Sequence, residues 1–289
     1  MQAESTVSAP VRRRSIRGPL LGAAAIVSIV ILAIGYLVLS ARIADARMTD
    51  AEGALKPVFD HQALVDKAIG DYIHVEVPSD SKAALDLANK DLAEVQRALN
   101  TVHADQAALK SAQSGLQSSV LTLTRQDALA KERKRTEAAS AALVYANQAL
   151  VDASVQLNAL QPLMAGIMDA NSMLAKVKAN DFAGALAHYS SAQQKLQTAL
   201  NRSQRSEVPA EYGMMAGFLK QTLEALDQAV TAVQSRNIAA LNKANADLNN
   251  LSQQAGTLKA LFDTVDARNA ALFKPLENGY HTSLLQARG

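Results

Sequence analysis

Cysteine is absent from all 289 residues, and so is tryptophan. The first absence excludes structural disulfides, thiolate metal sites, cysteine nucleophiles and the lipidated cysteine of a lipoprotein. Aromatic residues make up only 4% of the chain, so no core of large rings can be built. No stretch alternates apolar and polar residues between turn signals, which argues against strands. What the chain has instead is alanine, roughly a fifth of all residues. Alanine is the strongest helix former, and its small side chain lets helices approach closely while burying little area per residue. The expected fold class is therefore all-α, held by long interfaces rather than a thick core.

Signatures of chemistry are missing too. The five histidines, at 61, 74, 103, 188 and 281, include no His-x-x-x-His pair and no His-Glu-x-x-His motif, so a helical zinc site has no local support. There is no Walker loop, no Gly-x-Gly-x-x-Gly and no Gly-x-Ser-x-Gly elbow. The nearest approach to a di-iron Glu-x-x-His pair is Asp71-Tyr-Ile-His74, with a shorter carboxylate and no second copy. We therefore read no catalytic, cofactor-binding or metal-binding residues and no enzyme. Beyond residue 41 the chain holds 25 Lys and Arg against 26 Asp and Glu. Without a global basic field, nucleic acid is not an expected partner.

One long uncharged run is present, residues 18–41, preceded by Arg12, Arg13, Arg14 and Arg17. The segment 19–39 would extend about 32 Å as a helix, enough for a bilayer core. Four cations precede it, against Arg42 and Arg47 just after. The positive-inside rule then puts the N-terminus in the cytoplasm and the large domain outside the plasma membrane. The expected organisation is a disordered cytoplasmic tail (1–17), a single transmembrane helix (18–41) and an extracytoplasmic bundle (42–289), with a sub-boundary near 178–181. A cleaved signal peptide is the alternative, since Ala44-Asp45-Ala46 has the form of a cleavage site, but the run exceeds a normal signal core. Within it, Gly18-x-x-x-Gly22 and Ala24-x-x-x-Ser28 are small-residue spacings that favour self-association.

Seven-residue periodicities fill the rest. Ala44, Ala51, Val58 and Val65 extend the first helix outward, with Gly53 and Pro57 as its expected kink. Pro78 breaks the chain, and Ser79 or Asp80 can cap the next helix. Leu85, Leu92, Leu99 and Val120 share one seam with Gln106 and Gln113, which we read as register-setting. Ala88, Val95, Val102, Leu109, Leu116 and Leu123 share another. The phase changes before Leu143, Leu150, Leu157 and Met164, predicting a hairpin turn near 124–128 with Thr124 to Asp127 as a capping box, with one long bent helix over 81–178 as the alternative because no Gly or Pro enforces the turn. Pro162 marks a further kink or break. Helices are then expected after Asn180-Asp181, over Leu219 to Val233, and from Leu241 to Leu272, the last disturbed at Pro275 and Gly279.

Asn180-Asp-Phe-Ala-Gly-Ala-Leu-Ala-His-Tyr189-Ser-Ser-Ala192 resembles the second helix of a tetratricopeptide repeat. The preceding helix lacks that family's Leu-Gly and Tyr spacing, and no 34-residue period recurs. Ordinary packing of small residues accounts for the segment.

Lys131, Arg133, Lys134 and Arg135 form the densest basic run outside the tail, and are the candidate contact with an anionic surface. Tyr212 to Phe218 places Met214 and Met215 among glycines, a pattern that more often fills core gaps than binds a partner. The expected function is a membrane-anchored interaction or scaffolding module of the cell envelope. Its expected partners are the bilayer, through 18–41, and an envelope protein. A ligand-sensing bundle that signals through a separate membrane protein is the alternative, and a cytoplasmic rod would require the opposite topology.

Overall fold

A computed structural model describes residues 17–73, 80–117, 119–262 and 265–289. It is all-α, with no strand among the described residues. The helices are α1 (Arg17–Asp60), α2 (Gln62–Ile73), α3 (Ser81–Gly115), α4 (Gln126–Lys178), α5 (Phe182–Arg202), α6 (Ala210–Gln234), α7 (Ile238–Phe262) and α8 (Val265–Arg288), with a short 3-10 turn at Val120–Arg125.

The spine is α4, whose 53 residues extend about 80 Å. A helix on the surface of a bundle buries one stripe, but a central helix is covered on several sides. Ala142 and Leu143, Ala149 and Leu150, Asp152 and Ala153, and Leu163 and Met164 are buried as adjacent pairs, so α4 is covered broadly along its length. Its first half packs with α1, α2, α3 and α8 around Val65, Val95, Val102, Leu150 and Phe273. Its second half packs with α5 and α6 around Leu163, Met173, Leu196 and Leu223. α7 lies on α6 and touches α8.

The expected hairpin forms, but its turn lies slightly earlier than expected. α3 ends at Gly115, and Ser119 opens the 3-10 turn in a reciprocal capping box with Thr122. Thr124 caps nothing, because its Oγ1 is 2.8 Å from Ser40 Oγ on α1. The seam glutamines behave as read. Gln106 Nε2 donates to the Leu143 carbonyl (3.1 Å) and Gln113 Nε2 to the Thr136 carbonyl (3.0 Å). With Gln161 on Asn89 and His103 on Asn147, they hold one antiparallel register along the hairpin. The heptads fail at the tip. Leu116 is the last buried member, and Val120 and Leu123 are exposed, because α3 has stopped and a residue in a reversing turn no longer faces the seam.

Three prolines expected to disturb helices lie inside them: Pro57, Pro162 and Pro275. α1 continues past Pro57 and breaks only at His61. Pro162 has no N–H for the carbonyl one turn back, that of Asn158. Arg202 supplies the missing donor, its Nη1 lying 2.6 Å from the Asn158 oxygen. A tertiary contact thus repairs the lost helical bond, and α4 runs on without a break.

The helix expected from Leu241 to Leu272 is helical at every described residue, as α7 and α8, with residues 263 and 264 outside the described residues. α7 packs on α6, whereas α8 packs along the first half of α4. α8 then continues through Gly279, against which the Tyr145 ring is stacked so closely that a Cβ would sit 2.8 Å from Tyr145 Cε1. The turns at 179–181 and 235–237 form where expected. Asn180 and Arg236 take positive φ, and Asp181 caps α5 by accepting from Gly184 N at 2.9 Å.

Candidate functional site

Among the basic residues of the sequence, Arg12, Arg13 and Arg14 lie outside the described residues, as does the side chain of Arg17. Arg133 pairs with Glu137 one turn on (2.7 Å). Arg135 holds both oxygens of buried Glu132 at 3.1 and 2.8 Å, and its Nε donates to the Ala287 carbonyl at 3.0 Å. A cation on the last carbonyls of a helix satisfies an orphan acceptor and opposes the helix dipole. Arg135 therefore fastens the end of α8 to α4. Lys131 and Lys134 are exposed, with no ion pair to the described residues.

A polar cluster that local motifs do not reveal ties α1, α2, α3 and α8 together. His61 Nδ1 lies 2.9 Å from Asp105 Oδ2, and Asp105 is buried. Gln62 donates to Asp66 and accepts from Arg288. His281 Nε2 approaches Asp66 Oδ1 at 3.7 Å. Tyr280 is buried beside them, and its hydroxyl and Asp66 Oδ1 find no hydrogen-bond partner among the described residues. Burial first, then the Asp66 and Asp105 carboxylates, push the Tyr280 phenol well above the usual tyrosine range. The spacing does carry a signal for the buried acid. Ala84, Asp91, Ala98 and Asp105 recur every seven residues on α3, and all four are buried. Among the described residues no three His, Asp or Glu side chains converge as metal ligands. The cluster offers neither an activated nucleophile nor an open volume. Chemically it can tie helices together and exchange protons.

A second polar tie joins α4 to α5. Lys195 Nζ lies 2.6 Å from Asp169 Oδ2, with His188 Nδ1 at 3.7 Å from the other oxygen. Burial alone would raise the Asp169 carboxyl. Hydrogen bonds from Lys195 and Ser191, with the Lys195 and His188 charges, outweigh it and hold the group below the usual range. A depressed carboxylate stabilises the fold fully above its unfolded pKa, and that stability is lost as pH falls through the folded value. Melting temperature should therefore drop as pH is lowered below about 4. A Lys195→Met variant should show a smaller part of that drop, and identical pH profiles for the two proteins would refute the assignment.

Two recesses remain, both shallow and bordered by polar groups. One, about 420 Å³, lies between the 203–209 loop and α8, with Gln156, Glu207 and Arg268 at its edge. The other, about 290 Å³, runs between α6 and α7 past Gln221, Glu224, Asp247 and Asn250. Small-molecule sites are usually enclosed clefts, and both recesses are open, the first with a lining that mixes Val208, Pro209 and Leu272 with polar groups. Of the two methionines, Met215 packs against the second cluster and Met214 is exposed.

The described part of α1 provides the remaining feature. Leu32, Ile34, Leu37, Val38 and Leu39 are all exposed. At 100° per residue these five spread over most of the helix circumference, leaving the side of half-buried Tyr36 to the 3-10 turn, whose Val120 carbonyl accepts from the Tyr36 hydroxyl. From Ser40 onward the same helix is packed, with Ser40, Ala44 and Ala51 buried. Among the described residues no helix is long and apolar enough to cross a membrane. Residues 18–31 of the expected span lie outside the described side chains. The chain matches no protein-family model, no curated protein and no solved structure.

Proposed function

We propose that this chain is a single-pass membrane protein, anchored by residues 18–41, that displays its helical bundle outside the plasma membrane as an interaction or scaffolding module. One observation carries the anchor. Five large aliphatic side chains stand bare around most of the circumference of α1, all but the side of Tyr36, in the last part of an uncharged run of 24 residues. A soluble helix that is apolar all round would be buried, and lipid is the solvent that suits it bare. The change to packed residues at Ser40 falls at the end of that run.

The bundle's reading rests on its surface. The outer face of α7 presents Asn242, Asn245, Asn249 and Gln253, suited to a broad polar contact. The open recesses favour such a contact over an enclosed small ligand.

Protease added to cells with a permeable outer layer tests the topology. It should degrade the bundle and spare the tail, and alkaline extraction should leave the anchor fragment in the membrane. A protected bundle would reverse the orientation, and a fully extracted protein would remove the anchor. Photo-crosslinking residues placed at Asn245 or Gln253 should give an adduct of one defined mass, and a continuous smear or no adduct would sink the interaction role.

A further inference from the structure

We infer that the turn joining α3 to α4 is a second membrane contact, an apolar tip that enters the interface between lipid headgroups and acyl chains. The inference rests on the proposed anchor and adds to it a part of the bundle that touches lipid.

The tip carries two exposed aliphatic side chains, Val120 at 72% and Leu123 at 52% of full exposure. Both occupy positions that continue the buried heptads of α3 yet project into solvent. Their location decides what covers them. Tyr36 donates its hydroxyl to the Val120 carbonyl, and Ser40 meets Thr124. Arg47 donates to the Gln117 carbonyl at 3.1 Å. The tip is thereby fastened to the last turn of the uncharged run, beside bare Leu37, Val38 and Leu39. Tyr36 lies three residues before the end of the 19–39 segment, or about 5 Å along the axis. A tip held at that level reaches the outer headgroup–acyl boundary, where tyrosine is itself enriched. The apolar surface of the tip thus continues that of the anchor.

Charge agrees with this placement. Arg42 and Arg125 are exposed beside the tip, and Lys131 and Lys134 follow within about two turns of the α4 start. The nearby acids are Asp127, Asp45, which lies 3.7 Å from Arg125, and Glu132, which is paired with Arg135. Cations are in excess, which suits anionic headgroups near the surface. A turn clamped to a transmembrane helix on one side and wedged in lipid on the other would hold the α3–α4 hairpin at a set angle to the bilayer, where α1 alone would leave it free to swivel.

The absence of tryptophan makes the test direct, because a single introduced indole reports alone. Full-length Val120→Trp, Leu123→Trp, Leu32→Trp and Ile238→Trp are each placed in vesicles containing anionic lipid, with helix content checked by circular dichroism. Lipids brominated near the top of the acyl chain then serve as quencher. Tryptophan at 120 and 123 should emit at shorter wavelength than at Ile238, which is exposed at the α6–α7 turn, and should be quenched by the brominated lipid. Quenching at 32 with solvent-like emission at 120 and 123 overturns the tip inference and leaves the anchor standing. Quenching at 120 and 123 without quenching at 32 keeps the tip and removes the anchor. A blue shift at 120 and 123 that brominated lipid does not quench means that protein, such as a second copy of this chain, covers the tip, and overturns the proposal.

Discussion

Leu150→Asp is expected to abolish the cooperative thermal transition of the bundle, whereas Val144→Asp, six residues earlier on the same helix, should leave it nearly unchanged. Leu150 is fully buried in the cluster that unites α4 with α2, α3 and α8. A carboxylate there either loses its hydration without a partner or takes up a proton to become neutral, and it also leaves unfilled volume. The combined cost is about 4 kcal/mol or more, a large share of the stability of an ordinary domain. Val144 is equally aliphatic but 60% exposed, and a surface substitution of that kind usually stays within about 0.5 kcal/mol. Circular dichroism melts of the two variants decide the matter. Similar losses in both would mean that α4 is not a covered spine.

Gly166→Val should destabilise the bundle by about 2 kcal/mol, the usual cost of inserting methyl groups into a filled core. Gly166 is buried where α4 meets α5, and a Cβ there would lie 2.8 Å from Leu196 Cγ and Cδ2. Leu196 is itself fully buried and has little room to retreat. The better helix propensity of valine returns only a few tenths of a kcal/mol. For a domain of this size the net loss corresponds to a melting point lower by roughly 4–8 °C. The contact can be tested by a cycle with Leu196→Ala. Removing the crowded side chain should make Gly166→Val much less harmful, so the double variant should lose less than the two single losses together. Strict additivity would show that Gly166 is not the point of closest approach.

Much of the local structure is legible in the residues. Asp80 and Asp181 cap the helices that begin after them, and Asn180 and Arg236 reverse the chain at positive φ. Gln106 and Gln113 set the hairpin register as their seam positions imply. The polar cluster at α1, α2, α3 and α8 is much less legible. His61 and Asp105 are 44 residues apart in the chain, and His281 and Asp66 belong to helices near its opposite ends. No local spacing can express such pairs. Only the buried Ala-Asp stripe from Ala84 to Asp105 hints at one half of them.

What the sequence determined by itself is the helical class, many of the helix ends and the apolar faces, because capping, propensity and periodicity act within a few residues. What only the tertiary structure decided is which face meets which. Alanine and leucine seams are nearly interchangeable, and a seven-residue period names a face without naming its neighbour. Hence nothing in the sequence marks where the packing of α7 on α6 gives way to that of α8 on α4. Pro162 remains inside a continuous helix because Arg202, forty residues away, supplies the donor that proline lacks. Val120 and Leu123 keep the heptad spacing yet stand exposed, because the helix that would have buried them has already ended and the turn is held against α1.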